Sequence, residues 1–200
     1  MEFAIKNTEV YGLNKTFIAS GNPMRTEMAD NTKEPTEKDI KRLVNLSNTK
    51  IGEGHDNALN GIIVQFDLYA PLYMWKQLQR YHFLDFISSC STMHCLSKFN
   101  VAEHCTKDVD KEILNRYQYL LDEYNNSAEK SKEQWRTLVA SLPSGFVLGA
   151  TMTTNYRQLK TIYFQRKNHR LSEWHEFCSW CETLPMFKEL VLGIGMNDGK

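Results

Sequence analysis

The sequence predicts a mixed α and β fold on a chain of single-domain size. Three stretches carry that expectation. Residues 62–69 alternate Val64, Phe66 and Leu68 with Gln65 and Asp67, the two-residue period of a strand with one buried face. Residues 108–131 place Val109, Ile113, Tyr117, Leu120, Leu121 and Tyr124 at helical spacing. Residues 146–154 read as a second strand and run straight into Asn155, a good cap for a helix reaching about residue 167. With 200 residues the chain is long enough for a real core, and one domain over 1–200 is the expectation.

In chain order, residues 3–11 fit an edge strand. Residues 12–35 are rich in Asn, Thr, Gly and Pro and read as a long loop-rich segment, of the kind that is often functional. Thr36 and Asp39 form a capping box with Asp in place of Glu, opening a helix to about residue 48 whose apolar face is Ile40, Leu43, Val44 and Leu46. A loop over 49–60 follows, punctuated by Gly52 and Gly54 and closed by Gly61. Pro71 is suited to a first helical turn, where its missing N–H is not needed, and a helix is expected from residue 72 to about 88. Residues 132–141 form a further helix, stopped by Leu142-Pro143. Ser172 caps a last helix running to about 184, and Pro185 ends it. There is no internal repeat.

Hydrophobic residues make up 42% and aromatics 12%, which argues for a folded protein rather than a disordered one. Lys+Arg and Asp+Glu both number 24, so no global field draws the chain to nucleic acid or to an anionic membrane. No apolar run approaches a membrane span, and the first residues lack a signal-peptide pattern. The five cysteines (Cys90, Cys95, Cys105, Cys178 and Cys181) are an odd number in a chain that is not small. They read as reduced thiols, which fits a cytoplasmic protein.

Several residue types here are suited to chemistry. Arg157 and Arg166 lie nine apart on one expected helix, about half a turn out of phase and roughly 13 Å along the axis. One pocket of one subunit does not readily use both, so either one is a solvated arginine or the helix lies between two sites. Gln77 and Arg80, three apart, are neighbours on one face of the helix after Pro71, a pair suited to a phosphate and a pyrimidine edge or to a plain surface hydrogen bond. Cys90, His94, Cys95, His104 and Cys105, with Cys178 and Cys181, supply ligand types for zinc. Their spacing matches no ribbon or finger, and buried cysteine is a common core residue, so no metal is expected. A Cys90 nucleophile with His82 or His94 is a comparable minor alternative. No Gly-rich phosphate loop is present.

Gly54-His55, then the strand, then Pro71, then Trp75-x-Gln77-x-x-Arg80 resembles the flavin-dependent thymidylate synthases, in which a Gly-His turn precedes a strand and a helix ending in Gln-x-x-Arg-His-Arg. Leu142-Pro143, Asn155-Tyr156-Arg157-x-Leu159, Arg166 and Ser172-Glu173-Trp174 resemble the second conserved series of that family, with one extra residue between Arg166 and Trp174. The likeness covers about 50–182, with Ser20 in the first loop. It implies an α+β fold, a mostly antiparallel sheet flanked by helices, assembled as a homotetramer with sites where subunits meet. It implies FAD reduced by NADPH, methylenetetrahydrofolate as carbon donor, and methylation of dUMP to dTMP or of a related pyrimidine nucleotide. By position, His55, Arg80, His82, Asn155 and Arg157 would face the flavin, and Gln77, Ser88, Cys90, Ser91 and Arg166 the nucleotide.

The family signature Arg-His-Arg-x-x-Ser-x-Asn-Glu-x-Ser-x-Arg is largely replaced. In the same frame Arg80 survives, while Ser88 stands for the glutamate, Cys90 for the second serine and Thr92 for the last arginine. A shift by one puts Ser91 at the serine. An arginine expected before Leu142 is Val139, with Arg136 one turn earlier. The cofactor side is thus better kept than the nucleotide side. The alternative to a divergent enzyme is an inactive relative that binds flavin or nucleotide in a regulatory role.

Overall fold

The computed structural model describes residues 1–30, 32–50 and 53–195; Gly52, one of the three loop glycines, lies outside them. The fold is α+β, a four-stranded antiparallel sheet flanked by helices, as the sequence led us to expect. The strands are β1 (Ala4–Tyr11), β2 (Ile63–Pro71), β3 (Asp85–Ser89) and β4 (Val147–Asn155), in the order β1-β2-β4-β3. The edge position expected for the first strand is observed. In β2 the alternation holds: Val64, Phe66, Leu68 and Ala70 are buried, while Gln65, Asp67 and Tyr69 are half-exposed.

The helices are α1 (Leu13–Ala19), α2 (Glu37–Ser47), α3 (Leu72–Leu78), α4 (Thr92–Cys95), α5 (Val101–His104), α6 (Lys111–Asn126), α7 (Lys132–Ser141), α8 (Tyr156–Arg166) and α9 (Ser172–Cys181). Three of them begin as their residues dictate. The Thr36 hydroxyl accepts from the Asp39 N–H while the Asp39 carboxylate accepts from the Thr36 N–H, closing the expected capping box of α2. Ser131 and Gln134 form a second box on α7. The Asn155 side chain accepts from the Gln158 N–H at 2.9 Å and starts α8.

Four expectations are corrected. The stretch 12–35 is not loop throughout, since α1 and a 3-10 turn (Asn22–Met24) lie inside it. The loop before β2 carries a 3-10 helix, His55–Gly61. Ser172 is the first residue of α9 rather than its cap; Leu171 holds that place and makes no side-chain cap bond. The helix after Pro71 ends at Leu78, not near 88, and the chain then turns into β3. Phe83 has φ 61°, outside any right-handed helix, and Phe86 and Ile87 suit a strand better than a helix. A π-helical turn, Lys188–Leu192, follows Pro185.

The chain divides into two compact units: Met1–Lys6, Asp67–Arg80 and Phe86–Met152 in one, and Asn7–Phe66, Tyr81–Asp85 and Thr153–Lys200 in the other. Each strand contributes residues to both. In the first unit the core is built on Leu96, Val101, Tyr117, Leu121, Leu138 and Phe146. In the second, Phe66, Trp174 and Phe177 pack edge to face with centroids 5.6–6.4 Å apart, and Tyr156 meets Phe187 at 5.5 Å. Among the described residues no helix is long and apolar enough to cross a membrane.

Candidate functional site

In the second unit, Gly54, Asp56, Asn60, Phe83, Asn155, Arg157, Gln158 and Thr161 line a cavity of about 320 Å³. Two stretches a hundred residues apart, with Phe83 between them in the chain, build it. Gly54 has φ 75°, and a Cβ there would meet nothing within 4 Å, so the backbone angle and not crowding calls for glycine. That turn opens the 3-10 helix, which begins with the exposed His55. From the other side, Asn155 ends β4 and caps α8, so Arg157 falls in the first helical turn.

The Arg157 side chain, 43% exposed, has Nε 3.4 Å from the Asp56 carboxylate, and its Nη1 donates to Asn57 Oδ1 at 3.2 Å. Lys160, one turn further on, is buried. Its ammonium lies 3.1 Å from Asp56 Oδ2 and donates to the Ser47 carbonyl at 2.6 Å. Thr154 donates to the carbonyl of Phe83, a residue that is itself 67% exposed. The structure therefore brings together the Gly54-His55 turn and the Asn155–Arg157 pair that the sequence singled out. Asp56, Asn57 and Lys160 went unnoticed in the sequence. Their signal is the acidic residue next to Gly-His and a lysine one helical turn beyond Arg157.

At the far end of α8, Arg166 lies with its guanidinium carbon 4.7 Å from the Trp174 ring centroid and 5.4 Å from that of Tyr81. Its Nε donates to the Tyr81 hydroxyl at 2.6 Å, and Tyr81 in turn donates to Gln165. His169 sits beside this group. Burial, and then the charges of Arg166, His175 and Arg170, pull its proton affinity below the ordinary histidine range. Arg157 and Arg166 thus engage separate surroundings, as their half-turn phase difference requires. Tyr81, which stands where the family has histidine, is the arginine partner that sequence reasoning overlooked. His82 is exposed in the turn that follows.

In the first unit, Ser88, Ser89 and Cys90 line a second cavity of about 320 Å³ with Asp67, Tyr69, Gly149, Ala150 and Thr151. The Cys90 N–H donates to the Gly149 carbonyl at 2.9 Å, and Thr151 donates to Asp67 at 2.6 Å. Gly149 is small for a reason: a Cβ there would lie 3.0 Å from the Tyr69 ring. Ser91 does not line this cavity; its hydroxyl accepts from the His94 N–H and caps α4. Gln77 is half-buried on α3, but Arg80 lies beyond the end of that helix and is exposed. The two do not share a helical face, which corrects the expectation drawn from their spacing. The five cysteines are free, and among the described residues no three His, Cys, Asp or Glu side chains gather as a metal site.

No family model and no curated protein matches the sequence. Solved structures do match in fold. Two structures of the flavin-dependent thymidylate synthase ThyX from Helicobacter pylori, complexed with FAD and dUMP, are each 14% identical, with TM-scores of 0.69 and 0.70. They cover 96% and 95% of this chain and 97% of theirs. A UMP/dUMP methylase from Streptomyces cacaoi, bound with 5-Br dUMP, is 13% identical with a TM-score of 0.64, over 97% of this chain and 96% of its own. The chain therefore has the fold of the flavin-dependent thymidylate synthases.

Proposed function

We propose that this protein binds FAD and a pyrimidine nucleotide of the dUMP kind, as a divergent flavin-dependent thymidylate synthase-like protein. One observation carries the reading: Gly54, Asn155 and Arg157, picked out by resemblance from distant parts of the sequence, line one cavity. The residues fit part of a dinucleotide. Arg157 offers a guanidinium to a phosphate oxygen from the first turn of α8, where the helix dipole also favours an anion. His55 would stand at the flavin edge, with Arg80 and His82 as further contacts. Gln77, Ser88, Cys90 and Arg166 would serve the nucleotide. Bound flavin, reduced by NADPH, would supply the reducing equivalents, with methylenetetrahydrofolate as carbon donor.

A cavity of about 320 Å³ is at the small end of ligand sites, about 300–1,000 Å³, and holds only part of FAD. A homotetramer with shared sites would complete it. The free thiols support a reducing, cytoplasmic setting. The test is reconstitution of the purified protein with FAD, read by absorbance and by light scattering. A flavin spectrum that survives gel filtration on a tetramer is expected; no bound flavin at tens of micromolar FAD would overturn the reading.

A second reading, a flavin or nucleotide binder without methylase activity, is favoured by a different observation. Ser88 and Cys90 put only a hydroxyl and a thiol on the cavity wall at the positions of the family glutamate and serine, and Thr92 stands in the short α4 at the arginine position.

A further inference from the structure

We infer that Asp56 is the specificity-determining residue of the cavity at the N-terminus of α8. It acts as a resident carboxylate that holds Arg157 until a ligand takes it, and it limits the negative charge that the cavity accepts. The inference rests on the proposal that Arg157 meets an anionic group. Asp56 has two cationic partners of unequal freedom. Lys160 is buried and tied to the Ser47 carbonyl at 2.6 Å as well as to Asp56 at 3.1 Å, so it stays in place. Arg157 is partly exposed and lines the cavity, with a longer 3.4 Å contact to the same carboxylate. An entering anion therefore exchanges with Asp56 at Arg157, while Lys160 retains Asp56.

The charges on the wall set which anion fits. Of the residues lining the cavity, only Asp56 and Arg157 carry charge, so the wall is neutral and Lys160 behind it leaves one net positive charge. The pyrophosphate diester of FAD carries two charges in all, one on each of two phosphates, so the phosphate nearest Asp56 carries one. A terminal phosphate monoester carries about 1.5 to 2 near neutral pH and is repelled more strongly by Asp56. Asp56 thus favours FAD over FMN.

The experiment compares FAD and FMN affinities of the full chain, by flavin fluorescence titration, for the wild type, Asp56→Asn and Asp56→Glu at low and high salt. One charge removed at several ångströms is expected to tighten FMN by roughly tenfold and FAD by roughly threefold, with the gain vanishing at high salt. Asp56→Glu should keep the wild-type ratio. Equal gains for both flavins, or looser FMN binding in Asp56→Asn, would overturn the inference. If the wild type binds neither flavin, the functional reading fails, and Asp56 is then judged with inorganic phosphate by calorimetry: tighter binding in Asp56→Asn upholds it, unchanged binding overturns it. Asp56→Ser replaces Asp56→Asn if that variant does not fold. If neither folds, Asp56 is structural and the inference falls.

Discussion

Replacing Arg157 by Ala separates a binding role from a structural one, because the structure gives the two effects different sizes. The ion pair that Arg157 makes with Asp56 is 3.4 Å long and 43% exposed on the arginine side. Pairs of that kind contribute at most about 1 kcal/mol. Asp56 also keeps Lys160 after the change, so no carboxylate is stranded. In a chain of this length about 1 kcal/mol moves Tm by roughly 2–4 °C. A charge-assisted bond to a phosphate is larger, about 1.5–3 kcal/mol, so FAD affinity should fall roughly ten- to hundredfold. Arg157→Lys should fall between, since it keeps the charge and loses the fork. Fluorescence titration and thermal melting on the same samples give both numbers. An FAD affinity unchanged within about twofold would refute the placing of Arg157 at the ligand, and a drop in Tm above about 10 °C would show it to be structural.

Three further outcomes are expected. The Asp39 carboxyl is held down to about 2 by the Thr36 hydroxyl first, then by the Thr36 N–H and Arg42. Its folded pKa is depressed, so it contributes stability that is fully present above about pH 4 and is lost as pH falls towards 2. That is about 2 kcal/mol, and urea melts of Asp39→Asn should lose this acid limb. Lys160→Met should cost about 2–3 kcal/mol in the same assay, because it leaves the Ser47 carbonyl without its donor and Asp56 with Arg157 alone; a cost below about 0.5 kcal/mol would contradict the buried pairing. Incubation with dUMP, methylenetetrahydrofolate, NADPH and FAD should yield little or no dTMP, and growth of a thymidine-requiring strain on this gene alone would show that Ser88, Cys90 and Thr92 substitute effectively.

The parts of the fold that were legible in the sequence are those governed by short-range rules. The β2 alternation, the Thr36 and Asn155 caps and the α6 spacing each depend on residues a few positions apart, and each is observed. The α3–β3 region misled for a physical reason. Met74, Trp75 and Leu78 are buried at helical spacing, and nothing in composition alone marks Gln79 as the stop. The turn is set by Phe83, an aromatic residue held at φ 61° whose carbonyl is taken by Thr154, 71 positions away. A long-range bond of that kind leaves no local pattern. The same holds for the site. Arg157 was legible as half of an Asn-x-Arg motif, but its partner Asp56 became visible only when α8 met the 3-10 helix.

The residues expected at the cofactor and those expected at the nucleotide are under different constraints, which bears on how the substitutions are read. Asn155 caps a helix with one buried face, and Gly54 has a left-handed backbone, so the fold alone asks for residues of these types whatever the cavity holds. Their presence is therefore weaker support for flavin than that of Arg157, whose ion pair adds little to stability. In β3 every residue is exposed, so neither core packing nor capping dictates Ser88, and an acid or an arginine would be tolerated on that strand. On the proposed function, the hydroxyl of Ser88 and the thiol of Cys90 on that cavity wall would suit a nucleotide site altered from the family's, while Arg157 would keep a group able to hold a phosphate.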